Sequence, residues 1–155
     1  MKNANKTLQI LLIILIIATI AFIFGNSVMP PDASSKQSDE VAGIIGRIIP
    51  TDTAIGSFIH QNIRKIAHFV EYGLLGLEIA IYVILYTEKK LNQAALSILV
   101  PFAVGFTDET IQIFSGRGPS ITDVWIDVFG FVFFSLIVYF VSIVLIFIRA
   151  HCSRK

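Results

Sequence analysis

Four long apolar stretches dominate the chain, and polar residues interrupt them at only a few positions. The first, residues 7–24, carries no charge and is rich in Ile and Leu. The second, 66–86, is broken by His68, Glu71 and Glu78; the third, 93–114, by Asp108, Glu109 and Gln112; the fourth, 121–148, only by Asp123 and Asp127. A helix that crosses the hydrocarbon core of a bilayer needs about 20 apolar residues, and each stretch is long enough. Backbone polar groups in lipid must be satisfied within the segment, so the spans are helices rather than isolated strands. The pattern therefore predicts an all-α integral membrane bundle of four transmembrane helices, forming a single membrane domain over residues 1–155. The long connection, 25–61, carries Pro30-Pro31 and then apolar residues at Val41, Ile44, Ile45, Ile48 and Ile49. That spacing suits an amphipathic helix lying on the membrane surface, and equally an ordered loop packed over the bundle.

Composition agrees with this picture. Apolar residues make up 55% of the chain and charged residues only 15%, against a typical quarter in soluble domains. A net charge of +1 and the lack of a basic tract or base-stacking motif argue against a nucleic-acid partner. The lone cysteine, Cys152, has no internal disulfide partner and no zinc-ligand spacing. Lys2 and Lys6 before the first stretch resemble the start of a secretory signal. The apolar run is too long for one, however, and no A-x-A-like site follows at Phe24-Gly25-Asn26, so a retained anchor is expected. Lys2, Lys6, Lys89, Lys90, Arg149, Arg154 and Lys155 all fall on one side of four crossings. The positive-inside rule makes that side cytoplasmic, which predicts a multi-pass cell-membrane protein with both termini inside.

With this topology the polar interruptions fall at one depth. Arg64, Lys65, His68, Glu71 and Tyr72 lie in the outer half of the second span; Asp108, Glu109 and Gln112 lie near the outer end of the third; Asp123 and Asp127 lie near the outer end of the fourth. The turn 115–120, with Arg117, joins the last two. Arg64, His68 and Glu71 are spaced four and three apart and share a helix face, as do Asp108 and Gln112, and Asp123 and Asp127. A charge facing acyl chains costs at least ~2.5 kcal/mol at a span's centre, so these stripes are expected to face inward. Arg64, Lys65 and Arg117 supply three positive charges to the layer, and Glu71, Asp108, Glu109, Asp123 and Asp127 supply five negative ones. A protonated His68, a carboxyl group that keeps its proton, or a bound cation would offset the surplus.

The segments Arg64-Lys65-Ile66-Ala67-His68-Phe69-Val70-Glu71-Tyr72, Thr107-Asp108-Glu109-Thr110-Ile111-Gln112-Ile113-Phe114, Gly116-Arg117-Gly118-Pro119-Ser120 and Asp123-Val124-Trp125-Ile126-Asp127 closely resemble the VanZ-like family. That family includes a membrane protein associated with teicoplanin resistance in Gram-positive bacteria. Its pattern runs K-x-x-H-x-x-E-Y, D-E-x-x-Q-x-F and R-x-x-x-x-x-D-x-x-x-N-x-x-G, and Asn26-Ser27 resembles a polar pair that members often carry. Asp127 departs from the pattern, since the family commonly has Asn there. The resemblance implies that Lys65, His68, Glu71, Tyr72, Asp108, Glu109, Gln112, Arg117 and Asp123 belong to the site. It implies no particular reaction.

Two readings of function follow. In the first, Arg64, Lys65, His68, Glu71, Tyr72, Asp108, Glu109, Gln112, Arg117, Asp123 and Asp127 form an outer-leaflet binding site. Its ligand would be a lipid-linked peptidoglycan precursor, another envelope headgroup or a glycopeptide, and its binding would contribute to glycopeptide resistance. In the second, the chain is a membrane-embedded enzyme acting on a lipid-linked precursor. His68 and Glu71 would then serve as acid and base, with Asp108 and Glu109 as further catalytic candidates. Asp108, Glu109 and Asp123 offer hard oxygen ligands to a divalent cation, which neither reading requires. The motifs contain no evident Ser or Cys nucleophile, which favours the binder.

Overall fold

The computed structural model describes residues 5–117 and 120–152. Lys2, Arg154, Lys155 and the Gly118-Pro119 pair, used above for orientation and resemblance, lie outside the described residues. Among the described residues there are five helices and no strands: α1 (Lys6–Val28), α2 (Pro31–Gly46), α3 (Ala54–Tyr86), α4 (Lys90–Phe114) and α5 (Ile121–Cys152). All but α2 are long and apolar enough to cross a membrane.

Local chemistry sets the boundaries. The Asn5 side chain accepts from the Thr7 amide at 3.0 Å and caps α1. Helix α1 ends before Pro30, which cannot continue it, and Pro31 begins α2 at a position where a missing N–H costs nothing. The Thr53 hydroxyl accepts from the Gly56 amide at 3.0 Å and starts α3 well before the apolar stretch. At 33 residues, or about 50 Å, α3 is longer than a straight crossing needs. It bends at Asn62 (φ −118°, ψ 16°), whose side-chain amide donates to the Phe58 carbonyl at 2.9 Å. A side chain bonded to a carbonyl of its own preceding turn is an established cause of such bends. The kink divides an N-terminal arm from the span. Between α4 and α5 the chain turns at Gly116, whose φ of +83° favours a residue without a Cβ.

Helix α3 is the centre of the bundle. Of the most apolar 18 residues of each helix, 44% are buried in α3 against 11% in α1 and in α5. The residues of α1 and α5 that stay exposed are large and apolar, among them Ile10, Ile17, Phe140 and Phe147, as a lipid-facing surface requires. The α3–α5 contact is the most extensive, and small residues bring the two backbones together. A Cβ on Gly76 would land on the Phe131 carbonyl oxygen, and one on Gly130 would land on the Phe69 carbonyl oxygen. The Ser135 hydroxyl donates to the Gly76 carbonyl at 2.9 Å across this contact. Lipid provides no hydrophobic drive for helix association, so close van der Waals approach of this kind carries it. Tyr72, Leu75, Ile79, Val83 and Phe131 fill the core, with Ile23 from α1 and Val104 from α4.

Helix α2 leaves the bundle and packs on α3. Ser34 and Ala42 face inward while Val41 and Ile44 stay exposed, an apolar edge that suits the membrane interface. It begins seven residues earlier than the apolar spacing from Ser38 suggests, because the Pro30-Pro31 boundary rather than hydrophobicity fixes its start.

Replacing Gly76 or Gly130 by Ala is expected to destabilise the bundle by about 1–3 kcal/mol, the usual cost of overpacking. Unfolding in detergent by SDS titration measures this. Gly25→Ala, where nothing lies within 4 Å of the new methyl, is the matched control and should unfold as the parent does.

Candidate functional site

The polar residues of the spans meet at the end of the bundle that carries α2 and the α4–α5 turn. At its centre His68 Nδ1 lies 3.1 Å from Asp127 Oδ1 and 3.8 Å from Asp108 Oδ2. The three side chains come from α3, α5 and α4 respectively, and both carboxylates are almost completely enclosed, at 1% and 2% exposure. Tyr72, one helical turn along from His68, is fully buried. The two rings stack with centroids 6.5 Å apart.

Asp108 is the more connected of the two acids. It accepts from the Ser27 hydroxyl of α1 and from Gln112 Nε2 at 3.1 Å. Gln112 Oε1 in turn accepts from an Arg64 guanidinium nitrogen at 3.3 Å. Hydrogen bonds thereby link α1, α3 and α4, and the His68–Asp127 pair brings in α5 through its 3.8 Å contact with Asp108. Glu71 is half-buried and accepts from Asn26 Nδ2 at 2.8 Å, so its partner is an amide of α1 rather than His68. Asp127, not Glu71, therefore orients the imidazole, which corrects the acid–base pairing expected from the i,i+3 spacing.

Arg117 stands in the α4–α5 turn and donates to the Asn26 and Met29 carbonyls, both at 3.0 Å. Those carbonyls belong to the last turn and C-cap of α1, where the helix dipole favours a cation. Burial pushes the guanidinium below its ordinary value; the Arg64 charge adds to this and the Asp108 charge opposes it. Arginine stays charged through such shifts.

Other expected site residues serve differently. The Glu109 carboxylate accepts the Ser120 amide, and the Ser120 hydroxyl accepts from the Asp123 amide at 3.3 Å, so Glu109 and Ser120 fasten the start of α5. Asp123 is half-buried there. Neither Glu109 nor Asp123 joins Asp108 in a group of ligand atoms; the oxygens that do approach one another belong to Asp108 and Asp127, with His68. Lys65 is exposed. Among the described residues no Lys or Arg nitrogen lies within 4.0 Å of a carboxylate oxygen, and the only such pairs involve His68.

A cavity of about 210 Å³ opens beside this network. Phe22, Val41 and Ile63 give it apolar walls, while Arg64, Glu71 and Arg117 give it charged ones, and His68 connects it to the buried acids. Helix α2 contributes Ser34, Gln37 and Ser38 to the opposite side. Such a pocket can take an amphipathic molecule whose polar group meets charge and whose chain meets lipid-facing surface.

Two contacts were not evident in the residue pattern. Ser27 reaches Asp108 because Thr19, Ile23 and Ser27 form the buried stripe of α1, and their spacing of four was the signal available. Thr19 donates to Glu78 Oε1 at 2.8 Å, while Glu78 Oε2 is buried without a hydrogen-bond partner. Glu78 lies ten residues beyond His68, about 15 Å deeper along α3, so it stands apart from the site.

Fold and site together define a multi-pass membrane protein with a network of buried polar residues beneath a mixed apolar and charged pocket. The VanZ/LLP1 family model matches residues 12–145, and the chain belongs to that family. No curated protein and no solved structure matches the chain.

Proposed function

We propose that this protein binds an envelope ligand, of the lipid-linked peptidoglycan precursor or glycopeptide kind, in the pocket between α1, α2 and α3, and that this binding contributes to teicoplanin-type resistance in a bacterial cell membrane. The observation that carries the reading is the pairing of apolar walls at Phe22, Val41 and Ile63 with Arg64, Arg117 and Glu71 in one cavity. A guanidinium matches the phosphate or carboxylate of such a ligand in geometry and charge. The site's place at one end of the bundle supports it as well, because a lipid-linked molecule presents its polar group at the interface. The association of the VanZ-like family with teicoplanin resistance supports the choice of ligand class.

The basic residues of the α3–α4 connection and the C-terminal segment support a cytoplasmic position for that end of the bundle, with the pocket on the outward side. A cysteine introduced at Asp52 should react with an impermeant thiol reagent in intact cells while Cys152 stays protected. Labelling at Cys152 with protection at position 52 would invert the orientation.

Expression in a susceptible Gram-positive host should raise the inhibitory concentration of teicoplanin several-fold. Arg64→Glu and Glu71→Gln should each remove that increase at unchanged membrane abundance. Full resistance in both variants would count against the pocket, and no change on expressing the parent would count against the role itself.

A further inference from the structure

We propose that His68, Asp108 and Asp127 hold one divalent transition-metal ion, of the Zn2+ or Mn2+ kind, through His68 Nδ1 and one carboxylate oxygen from each aspartate. The proposal concerns the chain alone and stands whether or not the neighbouring pocket takes the ligand argued for above.

The geometry fits such an ion. One ligand atom from each residue lies within 4.8 Å of the other two, and the histidine nitrogen is 3.1 and 3.8 Å from the two carboxylate oxygens. Metal–ligand bonds of roughly 2.0–2.2 Å at tetrahedral angles set neighbouring ligand atoms about 3.3–3.6 Å apart, a spacing that the two histidine–carboxylate distances bracket, while the two aspartate oxygens need only draw together from within 4.8 Å. Imidazole suits zinc and its neighbours, whereas carboxylates suit manganese and harder ions. A mixed set of one nitrogen and two oxygens selects for the overlap between them.

Charge supplies a separate reason. Two carboxylates at 1% and 2% exposure face a single imidazole, and no Lys or Arg nitrogen among the described residues lies within 4.0 Å of either. The Arg117 contacts are with the carbonyls of Asn26 and Met29. A divalent cation would bring the cluster to neutrality, and buried charges are retained where they pair or coordinate metals.

The surroundings are those of a built site. Ser27 and Gln112 both donate to Asp108 and fix its carboxylate, as outer hydrogen bonds commonly do for metal ligands. Tyr72 is completely buried and stacks on His68, and its hydroxyl has no hydrogen-bond partner among the described residues. That hydroxyl is an uncommitted polar group available to an ion or to its bound water. His68 also lines the pocket, which gives an ion a route in.

Full-length protein in lipid nanodiscs, stripped with a chelator and titrated with ZnCl2 and separately with MnCl2, tests the proposal by calorimetry and by the ion content retained after desalting. One equivalent per chain of at least one ion is expected, with a higher unfolding temperature when loaded. Asp127→Asn should lose most of the affinity, and Ser27→Ala, which leaves all three ligands in place, should weaken it by about 10–100-fold. Should Asp127→Asn fail to reach the membrane, Ser27→Ala decides alone. A double variant, His60→Ala with His151→Ala, removes the exposed histidines and should bind as the parent does. The proposal is overturned if the parent takes up neither ion, if Ser27→Ala binds unchanged, or if removing the exposed histidines abolishes binding.

Discussion

A carboxylate hidden from water inside a membrane bundle must be partnered, and Asp108 is where that constraint presses hardest. It sits on α4, yet its contacts reach Ser27 of α1 and His68 of α3, and through His68 it is linked to Asp127 of α5. A shift of any one span relative to the others would leave at least one of these groups without a partner in a setting where that costs several kcal/mol. The network therefore sets the register of the bundle end. It does not supply the bulk of the cohesion, which comes from close packing at Gly76 and Gly130 and from the core around Tyr72 and Phe131.

Packing and polar contacts thus hold the bundle by different means along the same seam. Alongside the polar network, α3 and α5 approach through small residues and aromatic contacts, with Phe69, the neighbour of His68, against Phe129, Phe133 and Phe134. Beside the network, α1, α2 and α3 with the Arg117 turn border a cavity that is not filled by apolar packing. The kink at Asn62 and the capping by Glu109 both act at this end, one dividing α3 into arm and span, the other fixing the start of α5. A pocket at a membrane interface needs such fixed borders, because a site 1 Å too loose loses its ligand geometry.

Much of this was legible in the residue pattern. Four charge-poor stretches specify four spans, since lipid admits few alternatives, and the observed helices differ from the expected limits by at most a few residues except at the start of α3. There, the ten residues from Ala54 to Ile63, half of them apolar, form a helix that Thr53 caps, a local signal that hydropathy does not register. The convergence of His68, Asp108 and Asp127 follows from one depth on three helices. Which acid faces His68 does not follow from spacing: Glu71 shares its helix face, yet the close approach of α5 to α3 at Gly76 and Gly130 puts Asp127 against the imidazole. The capping role of Glu109 was hidden for the same reason. A helix face says which way a side chain points, not which partner arrives there.

The His68–Asp127 contact is the most direct point at which to test this account. Protein labelled with 15N-histidine and reconstituted in lipid gives three pairs of imidazole nitrogen signals, from exposed His60, exposed His151 and buried His68. Asp127→Asn should move the His68 Nδ1 resonance and leave the other two pairs in place. An unmoved His68 signal in a folded variant would contradict the arrangement on which the site rests.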